Sequence, residues 1–405
     1  MKILFVHQYL GAMGGAETDI LLEAASLQER GHEVALLYAS GTGRSENVWE
    51  QAFSQRHSLA GASVREETCA AIKAFAPDLI YFHSLPDLAV LEACLNSTPP
   101  VVRRVHDHRM YCMRGGKYNY FTRAVCTRPA SWRCVIPCLG FIGKNKDGAL
   151  PIRWVSYQAK LKEIRLNRQC DCMVVYSNHQ KEELVRNGFE PARIEVHAPI
   201  HGSGKVSESE SPRQQNRVLF VGQVIRGKGV DLLLRALAKV RAPFEAQILG
   251  DGNHRPYCER LCVRLGLKER VQFHGFISAD GLKKYYQEAS LLAVSSVWPE
   301  PFGLVGQEAM LHGLPVVAFD AGGIREWLLD GENGFLVPWK DTDIFAARIE
   351  QLLRNKDLAQ RLGARGRELL SQQQDMSRAD CPLDQLLRRV VTQGSCKTKI
   401  AYETR

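Results

Sequence analysis

Short apolar runs alternate with amphipathic stretches along most of the chain. In the first half, Ile3–His7, Glu33–Ala39, Leu79–His83, Val101–Val105 and Met173–Ser177 read as strands. Between them lie segments such as Glu17–Arg30, where Ile20, Leu21, Ala24 and Leu27 recur at helical spacing. The second half repeats the pattern, with strands predicted at Val218–Val221, Ala246–Leu249, Val271–Phe273, Leu291–Val294, Val316–Phe319 and Phe335–Val337. Alternating strand and helix predicts parallel sheets covered on both faces. The stretch GSGKVSESESPRQQN, Gly202–Asn216, has almost nothing to bury and reads as an exposed linker. The expected organisation is an N-terminal domain over 1–201, that linker over 202–216, a C-terminal domain over 217–375, and a tail over 376–405 that returns as a helix to the N-terminal domain. Such an α/β fold consists of two doubly wound domains facing across a cleft, with ligands beyond the carboxyl ends of the strands.

The loops that follow strands therefore carry the candidate chemistry. The first strand runs into HQYLGAMGGAETD, where Gly14 and Gly15 precede a helix. A Gly-rich turn there holds a phosphate, leaves room for a sugar, or is an ordinary tight turn. The fourth strand ends at His106, placed to offer a hydrogen bond to a ligand hydroxyl or carbonyl. In FVGQVIRGKGVDLLLRAL, Lys228 lies between two glycines just before a helix. A mobile ammonium there suits a diphosphate, with Arg226 as a second cation. The stretch WPEPFGLVGQEAML, Trp298–Leu311, places Glu300 before a helix start near Gly303 and Glu308 about a turn and a half inside it. The first amides, Gly303, Leu304 and Val305, would face a bound anion. A carboxylate accepts from two hydroxyls of a vicinal diol, so the two glutamates suit a sugar at one end and a ribose at the other.

The sequences EPFGLVGQEAM and GLPVVAFDAGGIREWLLDGENGFLVP resemble the donor-site signature of retaining glycosyltransferases of family 4. The resemblance extends over nearly the whole chain, through the Gly-Gly-Ala-Glu loop, His106-Asp107, the strand end LGDGN and VQFHGFIS. It implies the GT-B fold, two Rossmann-like domains, and transfer of a sugar from a nucleotide-diphosphate donor to an acceptor hydroxyl with retention and without a metal. Under it, Glu300 would hold donor-sugar hydroxyls and Glu308 the ribose. Lys228 and the Gly303–Val305 amides would stabilise the leaving diphosphate. His106 would touch the sugar near the reacting carbon, and Gly14 and Gly15 would line the phosphate and acceptor side. Catalytic roles thus fall to His106, Lys228 and Glu300. Donor contacts fall to Gly14, Gly15, Gln223, Arg226, Lys228, Gly303, Leu304, Val305 and Glu308. Gln223 departs from the pattern, because many members carry arginine at that position; diphosphate stabilisation then rests more on Lys228 and Arg226.

Charge and cysteine content add to this picture. The 405 residues carry a formal net charge of +9. Arg103–Arg168 alone holds fifteen Lys/Arg against three Asp/Glu, a local excess of +12. That basic segment, largely an insertion over about 108–168, suits a solvated surface or an anionic partner such as a phosphorylated lipid carrier, a membrane face or an acidic saccharide. No nucleic-acid-binding motif accompanies it, so no nucleic-acid partner is expected. Within it, Cys112, Cys126, Cys134 and Cys138 fall inside 27 residues. Four thiolates there suit a structural zinc, ahead of an iron–sulfur cluster, although the spacing is not the paired C-x2-C form; the competing reading is free or partly buried thiols. The N-terminus reads as a first strand and not a signal peptide, and no apolar run is long enough for a membrane span. The expectation is a cytoplasmic protein with reduced thiols, at the inner face of the membrane where its acceptor is lipid-linked. The acceptor itself is expected to be a saccharide or lipid-linked saccharide of a cell-envelope or exopolysaccharide pathway. A non-catalytic nucleotide-sugar-binding scaffold is the competing reading. A nicotinamide oxidoreductase lacks its glycine fingerprint, and sugar-nucleotide epimerisation is not favoured by the signature.

Overall fold

The structure is a computed structural model and describes residues 1–11, 14–144, 152–199 and 216–394. The linker expected over 202–216 lies outside the described residues except for Asn216. The chain divides into two compact units: Met1–Gly115 with Arg128–Gly202 and Ser377–Arg405, and Gly116–Thr127 with Ser203–Met376.

Among the described residues, the first unit holds β1 (Lys2–Leu10), β2 (Glu33–Gly41), β3 (Gln55–Ser58), β4 (Leu79–Ser84), β5 (Val101–Arg104), β6 (Ile142–Lys144), β7 (Ile152–Trp154), β8 (Cys172–Val175) and β9 (Ile194–Val196). Seven of them form one sheet in the order β3-β2-β1-β4-β5-β8-β9, all parallel, and β6 and β7 form a separate antiparallel pair. The central strands are buried on both faces, as near-continuous apolar runs require. One face packs Leu4, Val6, Ile80 and Phe82 against the helices Val64–Phe75 and Leu88–Leu95. The other packs Ile3, Phe5, Leu79 and Tyr81 against the helix Gly15–Gln28 and against Leu383, Leu386, Leu387 and Val390 of the helix Pro382–Gln393. The last described helix, Pro382–Gln393, therefore completes the core of the unit that holds the first strand.

The second unit holds β10 (Arg217–Val221), β11 (Glu245–Leu249), β12 (Val271–Gly275), β13 (Leu291–Val294), β14 (Val316–Phe319) and β15 (Gly334–Val337). They form a parallel sheet in the order β12-β11-β10-β13-β14-β15. The order reverses between β10 and β13, which makes that pair of strand ends the switch point where ligands bind in doubly wound sheets. Residues 116–127 belong to this unit although they lie inside the N-terminal half of the sequence. Among the described residues, no helix is long and apolar enough to cross a membrane.

Candidate active site

The two loops flanking the β10/β13 switch point bring Lys228 and Glu300 together. After β10, Gly222 takes a positive φ of 148° and Gln223 stands exposed. A short 3-10 turn, Arg226–Lys228, then leads through Gly229, at φ 66°, into the helix Val230–Leu237. Gly229 is needed twice over: its φ is left-handed, and a Cβ there would lie 2.0 Å from the Ser295 carbonyl oxygen. The loop after β13 is stitched to this turn. Ser295 Oγ donates to the Lys228 carbonyl at 2.9 Å, and the Val297 amide donates to the Gly227 carbonyl at 2.8 Å.

This stitching sets the side chains. Lys228 Nζ donates to Glu300 Oε1 at 2.6 Å and lies 5.2 Å from the Trp298 ring centre. Ser296 Oγ donates to the same oxygen of Glu300. The Glu300 side chain is only 6% exposed, against 22% for Lys228. An ammonium has three donors, so the pairing with Glu300 uses one and leaves two for an anionic ligand. The Glu300 backbone is fixed from its other side, where its carbonyl accepts from Gly323 N at 2.7 Å. Gly322 adopts φ 67°, and a Cβ there would lie 2.4 Å from the Glu300 carbonyl oxygen.

The helix Leu304–Leu311 starts at Gly303, whose φ is 94°. Its first amides, at Leu304 and Val305, lie where helix geometry leaves donors without intrahelical acceptors. Trp327 holds this end down: its Nε1 donates to the Phe302 carbonyl at 2.6 Å, and its ring fills the space a side chain at Gly306 would need. Glu308 sits inside the helix and accepts from the Tyr286 hydroxyl at 2.7 Å. Burial raises the Glu308 carboxyl above its ordinary range, and the Tyr286 bond opposes that rise. Arg226 is committed differently: Nε donates to the Tyr120 carbonyl at 2.9 Å and Nη2 to the Phe121 carbonyl at 3.2 Å.

The first unit has a polar centre of its own at the carboxyl ends of its strands. Gly14 and Gly15 are exposed at the start of the helix Gly15–Gln28. Gly14 is in extended backbone, and a Cβ there would meet Glu17 Oε2 at an ordinary 3.7 Å, so the glycine is not forced by local conformation. His106 has both ring nitrogens engaged, Nδ1 with the Tyr176 hydroxyl at 2.7 Å and Nε2 with His83 Nδ1 at 3.1 Å. Tyr176 donates its hydroxyl proton to Asp19 Oδ2 at 2.6 Å, so His106 Nδ1 carries the proton and Nε2 accepts from His83. A ligand bond from His106 must displace one of these partners. Burial, and then the nearby Arg104 guanidinium, hold His106 well below the usual histidine range.

Sequence reasoning did not find the rest of this network. Arg104 is fully buried, 3.3 Å from both Asp19 Oδ2 and Glu23 Oε1, and lies over the Tyr176 ring. One guanidinium faces two buried carboxylates. Burial, outweighing Arg104, pushes Glu23 up to about 8. The available signal was the i, i+4 pair Asp19 and Glu23 on the apolar face of a predicted helix, alongside Ile20 and Ala24.

Cys112, Cys126, Cys134 and Cys138 are half-buried on separately tied turns. The Cys112 amide bonds to the His108 carbonyl, that of Cys126 to Lys117 and that of Cys134 to Ser131. Among the described residues, no three His, Cys, Asp or Glu side chains stand in an arrangement that holds a metal ion.

Two family models match consecutive parts of the chain: Glycosyltransferase Family 4 over residues 13–199 and Glycosyl transferases group 1 over residues 205–369. The chain is 30% identical over 232 residues to the lipopolysaccharide core biosynthesis glycosyltransferase LpsE of Rhizobium meliloti (strain 1021), covering 56% of this chain and 66% of that protein. It is 28% identical over 248 residues to the alpha-D-kanosaminyltransferase of Streptomyces kanamyceticus, covering 57% and 64%. The matches span 47% to 66% of the length of these and similar curated relatives. In structure, it is similar to Anabaena HepE, solved in complex with UDP and glucose, with a TM-score of 0.74 at 20% identity over 96% of this chain and all of that one. With both halves matched in sequence and the whole matched in fold, this chain belongs to the GT-B glycosyltransferases of family 4.

Proposed function

We propose that the protein is a retaining glycosyltransferase that moves a sugar from a nucleotide-diphosphate donor to a hydroxyl of a cell-surface saccharide or lipid-linked saccharide. The observation that carries this is the Lys228–Glu300–Ser296 constellation at the β10/β13 switch point, beside the N-terminus of the helix Leu304–Leu311. Lys228 directs its remaining donors to the diphosphate, and the Gly303–Val305 amides add fixed partial positive charge. Glu300 accepts from donor-sugar hydroxyls, and Glu308 accepts from the ribose diol. The anomeric carbon–oxygen bond breaks with its electron pair leaving on the diphosphate. The acceptor oxygen then bonds to the anomeric carbon from the same face, and a diphosphate oxygen takes its proton. In this reading the two glutamates position the donor; they are not a hydrolase acid/base pair. Lys228 and the helix amides supply the charge stabilisation, so the transfer proceeds without a metal.

The relative LpsE, named for lipopolysaccharide core biosynthesis, supports a saccharide acceptor of the cell envelope. HepE, solved with UDP, supports UDP as the first donor nucleotide to test. Calorimetric titration of UDP, GDP and ADP into the full chain, with Glu308→Ala as control, tests the reading. One nucleotide should bind in the micromolar range, typical of substrates, and the control should lose it. Binding by none of the three would remove the donor clamp and leave a scaffold without turnover. Product analysis by NMR then tests retention, and turnover in EDTA tests independence from metal.

A further inference from the structure

Residues 116–127 form a compact turn. Tyr118 and Val125 pair across it, the Asn119 amide donates to the Ala124 carbonyl at 2.8 Å, and Asn119 Oδ1 accepts from the Phe121 and Thr122 amides, both at 2.9 Å. Several of the turn's outward contacts go to the segment that carries Lys228. Arg123 Nη2 lies 3.0 Å from each carboxylate oxygen of Asp231, with both side chains 8% exposed. Asp231 is in the first turn of the helix Val230–Leu237, three positions after Lys228. From the other side, Arg226 donates to the Tyr120 and Phe121 carbonyls and lies over the Tyr120 ring. Tyr118 packs on Gly227, so a Cβ at 227 would meet its hydroxyl at 3.2 Å. Lys340 Nζ donates to the Thr122 carbonyl at 3.0 Å.

We propose that the 116–127 turn is a clasp for the phosphate-binding loop, and that Arg123 is a positioning residue which holds Lys228 ready for the donor diphosphate. This rests on the proposed function for the identity of the ligand, although the clasp itself does not. The contacts reach residues 226, 227 and 231, on both sides of Lys228, while Lys228 itself is left to Glu300. A buried ion pair is weak evidence for overall stability, but it fixes geometry. Holding the loop in place before the donor arrives spares the entropy of ordering it on binding. Asp231 has a second polar neighbour, His254 Nε2, at 3.7 Å, on a ring that burial holds below the usual histidine range. Without Arg123 the carboxylate would turn toward that ring and draw the helix start away from its present register.

The test uses the full chain with Arg123→Ala, Arg123→Lys and the double variant R123M/D231L, which removes both charges and so keeps folding safe. Hydrogen–deuterium exchange without ligand should show faster exchange across residues 225–232 in Arg123→Ala and in the double variant, with distant strands unchanged. The affinity for the nucleotide that the wild type binds should fall about tenfold in both, and Arg123→Lys should recover part of it. Unchanged exchange and unchanged affinity in the double variant would overturn the clasp. Should the wild type bind none of UDP, GDP or ADP, the donor reading fails, while the exchange result still decides the clasp.

Discussion

Lys228 and Glu300 are each the condition for the other's burial. Glu300 is almost enclosed, and without Lys228 the side-chain partner its carboxylate keeps among the described residues is the Ser296 hydroxyl. Lys228→Ala should lower stability by about 2 kcal/mol, the scale of a hydrogen bond to a charged group, and should abolish nucleotide binding. The double variant K228M/E300Q should recover much of that stability in thermal melts and none of the binding, because a removed pair leaves no uncompensated charge. Glu23 offers a separate residue-scale prediction. Its carboxyl is held at about 8, above its ordinary value of 4.5, by burial. The folded chain therefore binds a proton that the unfolded chain has released, and the stability this contributes is present at low pH and lost as pH rises toward 8. The buried histidines His83 and His106 are pushed the other way, so their contribution grows up to pH 6.5 and is flat above it. Between pH 6.5 and 8 the Glu23 slope stands alone among these groups. Stability should fall there by about 1 to 2 kcal/mol, and Glu23→Gln should flatten it in denaturant titrations across that window.

At the scale of elements, the site depends on turns that only glycine permits. Gly322 combines φ 67° with backbone atoms of Glu300 and Pro299 at 2.4 to 2.8 Å from any Cβ. Gly322→Ala should cost about 1 to 3 kcal/mol, seen as a lowered melting temperature, and should weaken nucleotide binding by shifting Glu300. The strands of the C-terminal sheet were all legible in the sequence: five are short, largely buried apolar runs, and the edge strand Val271–Gly275 keeps Val271 and Phe273 two apart between exposed Gln272 and His274. Four N-terminal strands were not, among them the three-residue antiparallel pair Ile142–Lys144 and Ile152–Trp154. Gln55–Ser58, QRHS, has no apolar residue and lies at the sheet edge, and Ile194–Val196 spans only three residues at the other edge. Lys228, Glu300 and Glu308 were legible because strand-end loops and a helix start are local signals. Asp19, Glu23 and Arg104 were not, since two carboxylates on an apolar helix face become intelligible only when a guanidinium far along the chain meets them. The 116–127 turn escaped for the same reason: its anchor, Asp231, lies 108 residues away in sequence.

At the scale of the molecule, sequence order and structural membership part company. The helix Pro382–Gln393 supplies Leu383, Leu386, Leu387 and Val390 to the core built around β1. Leu387, fully buried, should not tolerate a charge: Leu387→Asp should lower the melting temperature of the unit that contains β1, followed by the fluorescence of the buried Trp49 in the same cluster. The discontinuity also bears on how the protein can be divided and recombined. A fragment cut at the linker, from residue 203 to 376, would leave Asp231 without Arg123 and Arg226 without the carbonyls it holds. A donor half grafted from one relative to another would therefore have to bring a dozen residues from the other half of its gene. The unit of exchange in this chain is two separated pieces of sequence inherited together.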